Sequence, residues 1–245
     1  MLRNTYIGIT AYLRAFGLIS KLKLWKYYVV PMLISFLTAI FIGIAAYGFS
    51  DNLGLFISRL WIWDWGKETF ETIGTFIGGL LVVIIGLIVY KHVILALSAP
   101  FMSPVSEKIE AYLSNTTHSH RKSSFTEQLI RGIRINFRNL SLELFLTFPI
   151  LLLGFIPVIG LISTVLLLLV QAYYAGFGNM DYTLERHYNY RESIQFVQNH
   201  RGLALGNGLV FILCLFIPII GVILVLPLSV TAASTITVEA LNNER

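Results

Sequence analysis

At 245 residues, 56% hydrophobic and only 13% charged, with a mean hydropathy of +0.74, the chain lies far from the roughly 25% charge of soluble domains. It reads as an integral membrane protein forming one helical bundle. A net charge of +5 fits cytoplasmic Lys/Arg enrichment rather than a nucleic-acid partner, and the single Cys214 excludes disulfides within one chain and cysteine zinc sites.

Residues 1–28 predict an amphipathic surface helix. Leu2, Tyr6, Ile9, Leu13 and Phe16 recur on one face, and Lys21, Lys23 and Lys26 follow at headgroup level. This segment has basic residues but neither the apolar core nor the small-residue cleavage site of a secretory signal. Residues 29–49 are uncharged for 21 positions, enough to cross a hydrocarbon core of about 30 Å. Pro31 falls where a first helical turn would lose no hydrogen bond. The Trp-rich stretch Leu60–Trp65 suits an aromatic belt. Residues 72–99 supply a second span, with Gly74 and Gly78 spaced for close helix packing.

Residues 100–140 leave the bilayer as a helical arm on the cytoplasmic side. Ser103 and Pro104 have the character of a helix start, and Ser124 with Glu127 has capping-box spacing. Arg131, Arg134 and Arg138 then share one helix face. That face suits either anionic lipid headgroups or a vestibule for a substrate anion.

Two uncharged runs follow, 144–177 and 202–238, each broken by Phe-Ile-Pro-x-Ile-Gly. Each is long for one span and short for two with a turn. Pro157 and Pro218 remove a helix donor, and Gly160 and Gly221 relax the backbone. One kinked helix or a helical hairpin fits each run. Five basic residues precede the first span and seven lie in Lys91–Arg138, against two in Asp51–Glu71. The N-terminus and the arm are therefore expected in the cytoplasm, and hairpins would return the later segments there. Two matched broken segments also mark the binding sites of secondary transporters. Pro157, Gly160, Pro218 and Gly221 are accordingly candidate pathway residues: a half-helix beginning at each break favours an anion, although a turn without a ligand explains the same residues.

Catalytic signals are few. His118 and His120 lie in a polar loop without thiols or carboxylates, and Asp181, Glu185 and His187 sit beside tyrosines as in an interfacial loop. No phosphate-binding loop, nucleophile elbow or zinc-protease motif occurs. The expectation is a protein that is not an enzyme, with no metal and no cofactor.

The order of these segments resembles the CysZ-type sulfate permeases, grouped with the etoposide-induced membrane proteins. The resemblance rests on "KLKLWKYYVVP" (Lys21–Pro31), "SAPFMSPVSEKIE" (Ser98–Glu110), the "FIPVIG" and "FIPIIG" breaks, and "LPLSV" (Leu226–Val230). It implies an all-α integral membrane fold of two long transmembrane helices plus two partly penetrating helical hairpins, with amphipathic surface helices, assembled as a homo-oligomer. It also implies sulfate uptake across the bacterial inner membrane, without nucleotide hydrolysis, for cysteine synthesis. The expected partners are sulfate or a similar small anion and membrane lipids. Family members hold sulfate on a Gly-apolar-Arg-Arg stretch before the first span. Here the matching positions are Lys23, Leu24, Trp25 and Lys26, which makes Lys23, Leu24 and Lys26 the implied anion-binding residues. Lysine offers a point charge where arginine would offer a two-pronged fork. The competing expectation is a non-transporting membrane protein that organises lipids or protein partners.

Overall fold

The computed structural model describes residues 1–58, 67–114, 123–154, 156, 159–217 and 220–244. Among them the chain is all-helical: α1 (Leu2–Lys21), α2 (Trp25–Ser58), α3 (Lys67–Leu97), α4 (Ala99–Ser114), α5 (Phe125–Gly154), α6 (Ile159–Leu184), α7 (Tyr190–Asn199), α8 (Arg201–Leu215), α9 (Ile220–Ile223) and α10 (Val225–Asn243). By length and composition Trp25–Ala45, Phe125–Gly154, Ile159–Leu184 and Val225–Asn243 can each cross a membrane. The pair Val82–Leu97 and Ala99–Ser114, bent by 66°, makes up to five. The chain is a multi-pass membrane protein. Its lipid-compatible surface shows in the exposed Phe145, Phe148, Leu161 and Ile162.

Several boundaries differ from the sequence expectation, each for a local reason. α2 starts at Trp25, so Pro31 lies inside the helix rather than in its first turn. α4 starts at Ala99, where the Ser98 carbonyl accepts from the N–H groups of Phe101 and Met102 at 3.0 and 2.9 Å. Pro104 is therefore internal, and Pro100, near the helix start, occupies the place where proline costs least. No helix end falls between 140 and 144: α5 runs unbroken from its charged first half into its apolar second half. The expected capping box is present at its start, with Ser124 N–H donating to Glu127 Oε2 at 2.9 Å and Glu127 N–H to Ser124 Oγ at 3.3 Å. The Trp-rich stretch Leu60–Trp65 and the His118/His120 pair lie outside the described residues.

The chain divides into two compact units, 36–91 and a larger one formed by 1–35 with 92–245. The smaller unit holds most of α2 and α3. Within it a Cβ on Gly86 would meet Ile42 Cγ2 at 3.4 Å, and Gly74 and Gly78 are buried.

In the larger unit α5 and α6 pair antiparallel along their whole length. Arg131 meets Asp181, Arg138 lies over the Phe177 ring, and Gly160 returns to the Gly154 carbonyl. The second break repeats the arrangement, with Asn207 of α8 bonded to the Ser229 carbonyl of α10 at 3.0 Å and Gly221 folded against Cys214. Glycines set the tightest seams. A Cβ at Gly176 would lie 1.8 Å from Ala204 O, one at Gly208 1.7 Å from Ala172 O, and one at Gly206 2.1 Å from Thr5 O. Backbone-to-backbone packing of α6, α8 and α1 therefore requires hydrogen at these positions. α1 buries its small face (Gly8, Ala11, Ala15), while Leu2, Tyr6, Leu13 and Phe16 stay exposed.

Candidate functional site

The Lys23–Lys26 segment is a helix-ending turn. α1 finishes with Leu22 as its C-cap, Leu24 N–H reaches back to Ile19 O at 3.0 Å, and Lys23 N–H to Ser20 O at 3.3 Å. These two bonds define a Schellman motif, in which the residue after the cap turns left-handed and the next one packs on the helix. Lys23 has φ 51°, the only non-glycine residue with positive φ among those described, and Leu24 and Ile19 are both buried. Lys23 thus occupies the backbone conformation that suits glycine, at the position where the resembling pattern places a glycine. Leu24 enters as packing, and its amide is already used by Ile19. The N–H groups next in line are those of Trp25 and Lys26, which open α2 and have no carbonyl one turn earlier in their own helix.

Cations gather at this turn from a second element. Lys26 Nζ lies 5.2 Å and Lys108 Nζ of α4 5.3 Å from the centre of the Tyr27 ring. Lys21 Nζ contacts Tyr112 Oη at 2.5 Å and sits over that ring. Lys108 is the member that sequence reading misses. Its spacing from Lys26 is 82 positions, and only the bend at Ser98 brings α4 beside the start of α2.

The other face of α4 closes a buried network of charge. Arg186 Nη2 and Nε bind Glu110 Oε2 at 2.9 and 3.0 Å, Arg186 Nη2 donates to Ser106 Oγ at 2.7 Å, and His187 Nε2 meets Glu110 Oε1 at 2.6 Å. Ser103 Oγ donates to Glu185. Burial is the main force holding the Glu185 carboxyl well above the usual range, pushed up to about 7; nearby Asp181 adds to it, while the Ser103 hydrogen bond, Arg186 and Arg131 oppose it. Asp181, Glu185 and Arg186 are all buried, which corrects the expectation of an interfacial loop. The stretch 181–201 holds three acidic and three basic residues; Asp181 pairs with Arg131 of α5 and Arg186 with Glu110 of α4, while Glu185 is met by the Ser103 hydroxyl.

The three arginines expected on one face part company. Arg131 binds Asp181 with two bonds, at 3.0 and 2.9 Å, and also donates to Tyr188 O and Ser193 Oγ. Arg134 stacks 4.2 Å from the Tyr190 ring centre. Arg138 donates to Asn139 Oδ1 at 3.0 Å and lines a cavity with α6 and α8. A further polar pair sits where α3 meets α5. His92 Nε2 faces Glu143 Oε2 at 2.9 Å, and Nδ1 faces Asn136 Oδ1 at 3.3 Å, with the Asn136 amide nitrogen held by Gly132 O at 2.9 Å.

Of the candidate pathway residues, Pro157 and Pro218 lie outside the described residues. Gly160 and Gly221 share one geometry. Each donates its N–H to the carbonyl four residues back, Ile156 and Ile217, at 2.9 and 2.8 Å. Ile156 and Ile217 in turn donate to Leu153 and Cys214, at 3.2 and 3.0 Å. The sequence repeat is thus a structural repeat, and it closes these amides onto its own backbone.

Comparison with known proteins bears on most of the chain. The family model described as "Sulfate transporter CysZ/Etoposide-induced protein 2.4" matches residues 11–226. Two relatives named as the sulfate transporter CysZ, from Pseudomonas aeruginosa strains LESB58 and PAO1, are each 27% identical over 222 residues, covering 89% of this chain and 88% of theirs. The chain belongs to the CysZ/etoposide-induced protein family.

Proposed function

We propose that this member of the CysZ family is a permease that passes sulfate across the bacterial inner membrane without nucleotide hydrolysis, supplying sulfur assimilation. The observation that carries the site is the Schellman turn at Lys23. It directs the chain into α2 so that the opening amides of that helix, Lys23, Lys26 and Lys108 belong to one small region. A helix N-terminus with lysines nearby attracts a dianion through both its dipole and its charges. Lys23 and Lys26 supply charge, Leu24 anchors the turn, and Lys108 joins them from α4. The family relationship supports sulfate as the anion.

We further propose that the two broken runs are hairpins that enter and leave on the same side, with Pro157–Gly160 and Pro218–Gly221 at their tips beside the pathway. The antiparallel pairing of α5 with α6 and of α8 with α10 supports this reading. Assembly as a homo-oligomer rests on the family resemblance.

Uptake of labelled sulfate into proteoliposomes tests the function. Accumulation above protein-free vesicles is expected, and equal accumulation with correctly folded protein overturns the permease reading. Single cysteines at Asn189 and Asn243, in a Cys214→Ser background, test the hairpins. Both should react from the same side of the membrane, and labelling from opposite sides contradicts them.

A further inference from the structure

Arg14 is paired with Glu239, Arg131 with Asp181 and Arg186 with Glu110. Arg138 and Arg201 differ: neither forms an ion pair with a carboxylate among the described residues, and both line one cavity of about 610 Å³ between α5, α6 and α8. Arg201 is oriented by its Nε–H bond to Gln198 O at 2.9 Å, which leaves its two terminal nitrogens for another acceptor. Tyr173 stands with the two guanidinium groups in the lining. No carboxylate contributes to the lining among the described residues.

The cavity changes character along its length. Past the arginines the walls are apolar, with Leu146 of α5 opposite Leu166 and Leu169 of α6. Arg138 and Leu146 are eight positions apart on a continuous helix, or about 12 Å. Leu166 is 42% and Leu146 38% exposed, and the neighbouring Phe145 and Phe148 face outward, so the apolar end is continuous with the lipid-compatible surface of two helices long enough to span. A site for a small inorganic anion needs the cationic end alone. A cationic end joined to a leucine-lined trough open to the bilayer matches a molecule with a phosphate at one end and an alkyl chain at the other.

We propose that this cavity binds an anionic glycerophospholipid, its phosphate held between Arg138 and Arg201 and one acyl chain laid along Leu146, Leu166 and Leu169. The site is separate from the lysine turn and stands whether or not the protein transports sulfate. Arg131 is outside it, because Asp181 already takes its guanidinium. Of the two expectations for the arginine face, lipid contact therefore narrows to Arg138, with a partner on α8 that helix periodicity could not supply.

Native mass spectrometry of the delipidated full chain, supplemented with phosphatidylglycerol or phosphatidylcholine, provides the test. Phosphatidylglycerol should be retained preferentially. Arg138→Gln with Arg201→Gln should lower its retention at least tenfold, since two charge-assisted contacts are lost. Arg191→Gln, on an exposed position of α7, should leave it unchanged. Circular dichroism and a single elution peak check that the double variant is folded; if it is not, the separate Arg138→Lys and Arg201→Lys variants, which keep charge but lose the fork, should each show an intermediate loss. Equal retention of the two lipids, retention unaffected by the arginine changes, or complete displacement by millimolar sulfate each overturns the proposal, the last in favour of a free-anion site.

Discussion

The two ends of the α5–α6 pair, about 32 Å apart along α6 between Gly160 and Asp181, satisfy their polar groups by opposite means. At the Asp181 end the sequence supplies full charges, and α4, α5 and the segment after α6 converge to pair them: Arg131 with Asp181, Arg186 with Glu110, His187 with Glu110. At the Gly160 end the described residues around the break carry no charge, and the backbone closes its own hydrogen bonds through Gly160 and, in the second pair, through Gly221. The contrast separates what each end can do. Paired charges with good geometry rigidify the fold, because removing one partner strands the other. The breaks are stable only where glycine permits the return of the chain. The lysine turn belongs to neither type: its charges lie beside tyrosine rings and a helix start, without carboxylate partners in the contacts described.

The largest expected effect falls at the charged end. Glu110→Ala leaves the buried Arg186 without its main partner and should cost about 3–5 kcal/mol, read as a lowered unfolding midpoint in detergent. Glu239→Ala breaks the exposed pair with Arg14 and should cost at most about 1 kcal/mol. Similar losses in the two variants would erase the distinction between buried and surface pairs.

At the other end, Gly160→Ala and Gly221→Ala would press a Cβ to 2.7 Å from Gly154 O and 2.5 Å from Cys214 O. Each should cost about 1–3 kcal/mol. Gly17→Ala on α1, where a Cβ meets nothing within 4 Å, should be neutral or stabilising by up to about 1 kcal/mol. Tolerance of alanine at both breaks would mean that the chain does not return there as described.

A pH-dependent effect comes from Glu185. Its carboxyl is raised to about 7 in the fold, chiefly by burial, so the folded state binds a proton that the unfolded chain releases near pH 4.3. The associated stability is complete below that pH and is lost as pH rises toward 7. Thermal midpoints measured across pH 4–8 should show this downward contribution, and Glu185→Gln should flatten it. An unchanged slope would show that the Ser103 contact holds an ionised carboxylate.

The smallest expected change sharpens the third region. Lys23→Gly relieves a left-handed residue and should stabilise the fold by about 1 kcal/mol while weakening anion binding. A stabilised variant with undiminished sulfate affinity would leave Lys23 a purely structural position.

Periodic and local features were readable from sequence. The outward stripe of α1, the Ser124–Glu127 capping box and the repeated break follow from spacing alone, and all recur in the structure. So did the family, from the order of its segments. The second capping box, Asn189 with Glu192, is equally local, but reading Asp181, Glu185 and His187 as an interfacial loop passes over it. Lys108 beside Tyr27, Glu110 beneath Arg186 and Arg201 opposite Arg138 were not readable, because each depends on a bend or a helix pairing between residues more than 60 positions apart.

Titration of sulfate into the purified, folded protein, compared with its Lys23→Ala/Lys26→Ala variant, addresses the proposed anion site directly. The wild type should bind, with affinity falling as ionic strength rises, and the variant should bind at least tenfold more weakly, as expected when charge-assisted contacts are removed. Identical isotherms from the two proteins, or no sulfate binding by the wild type, would contradict the assignment of the lysine turn.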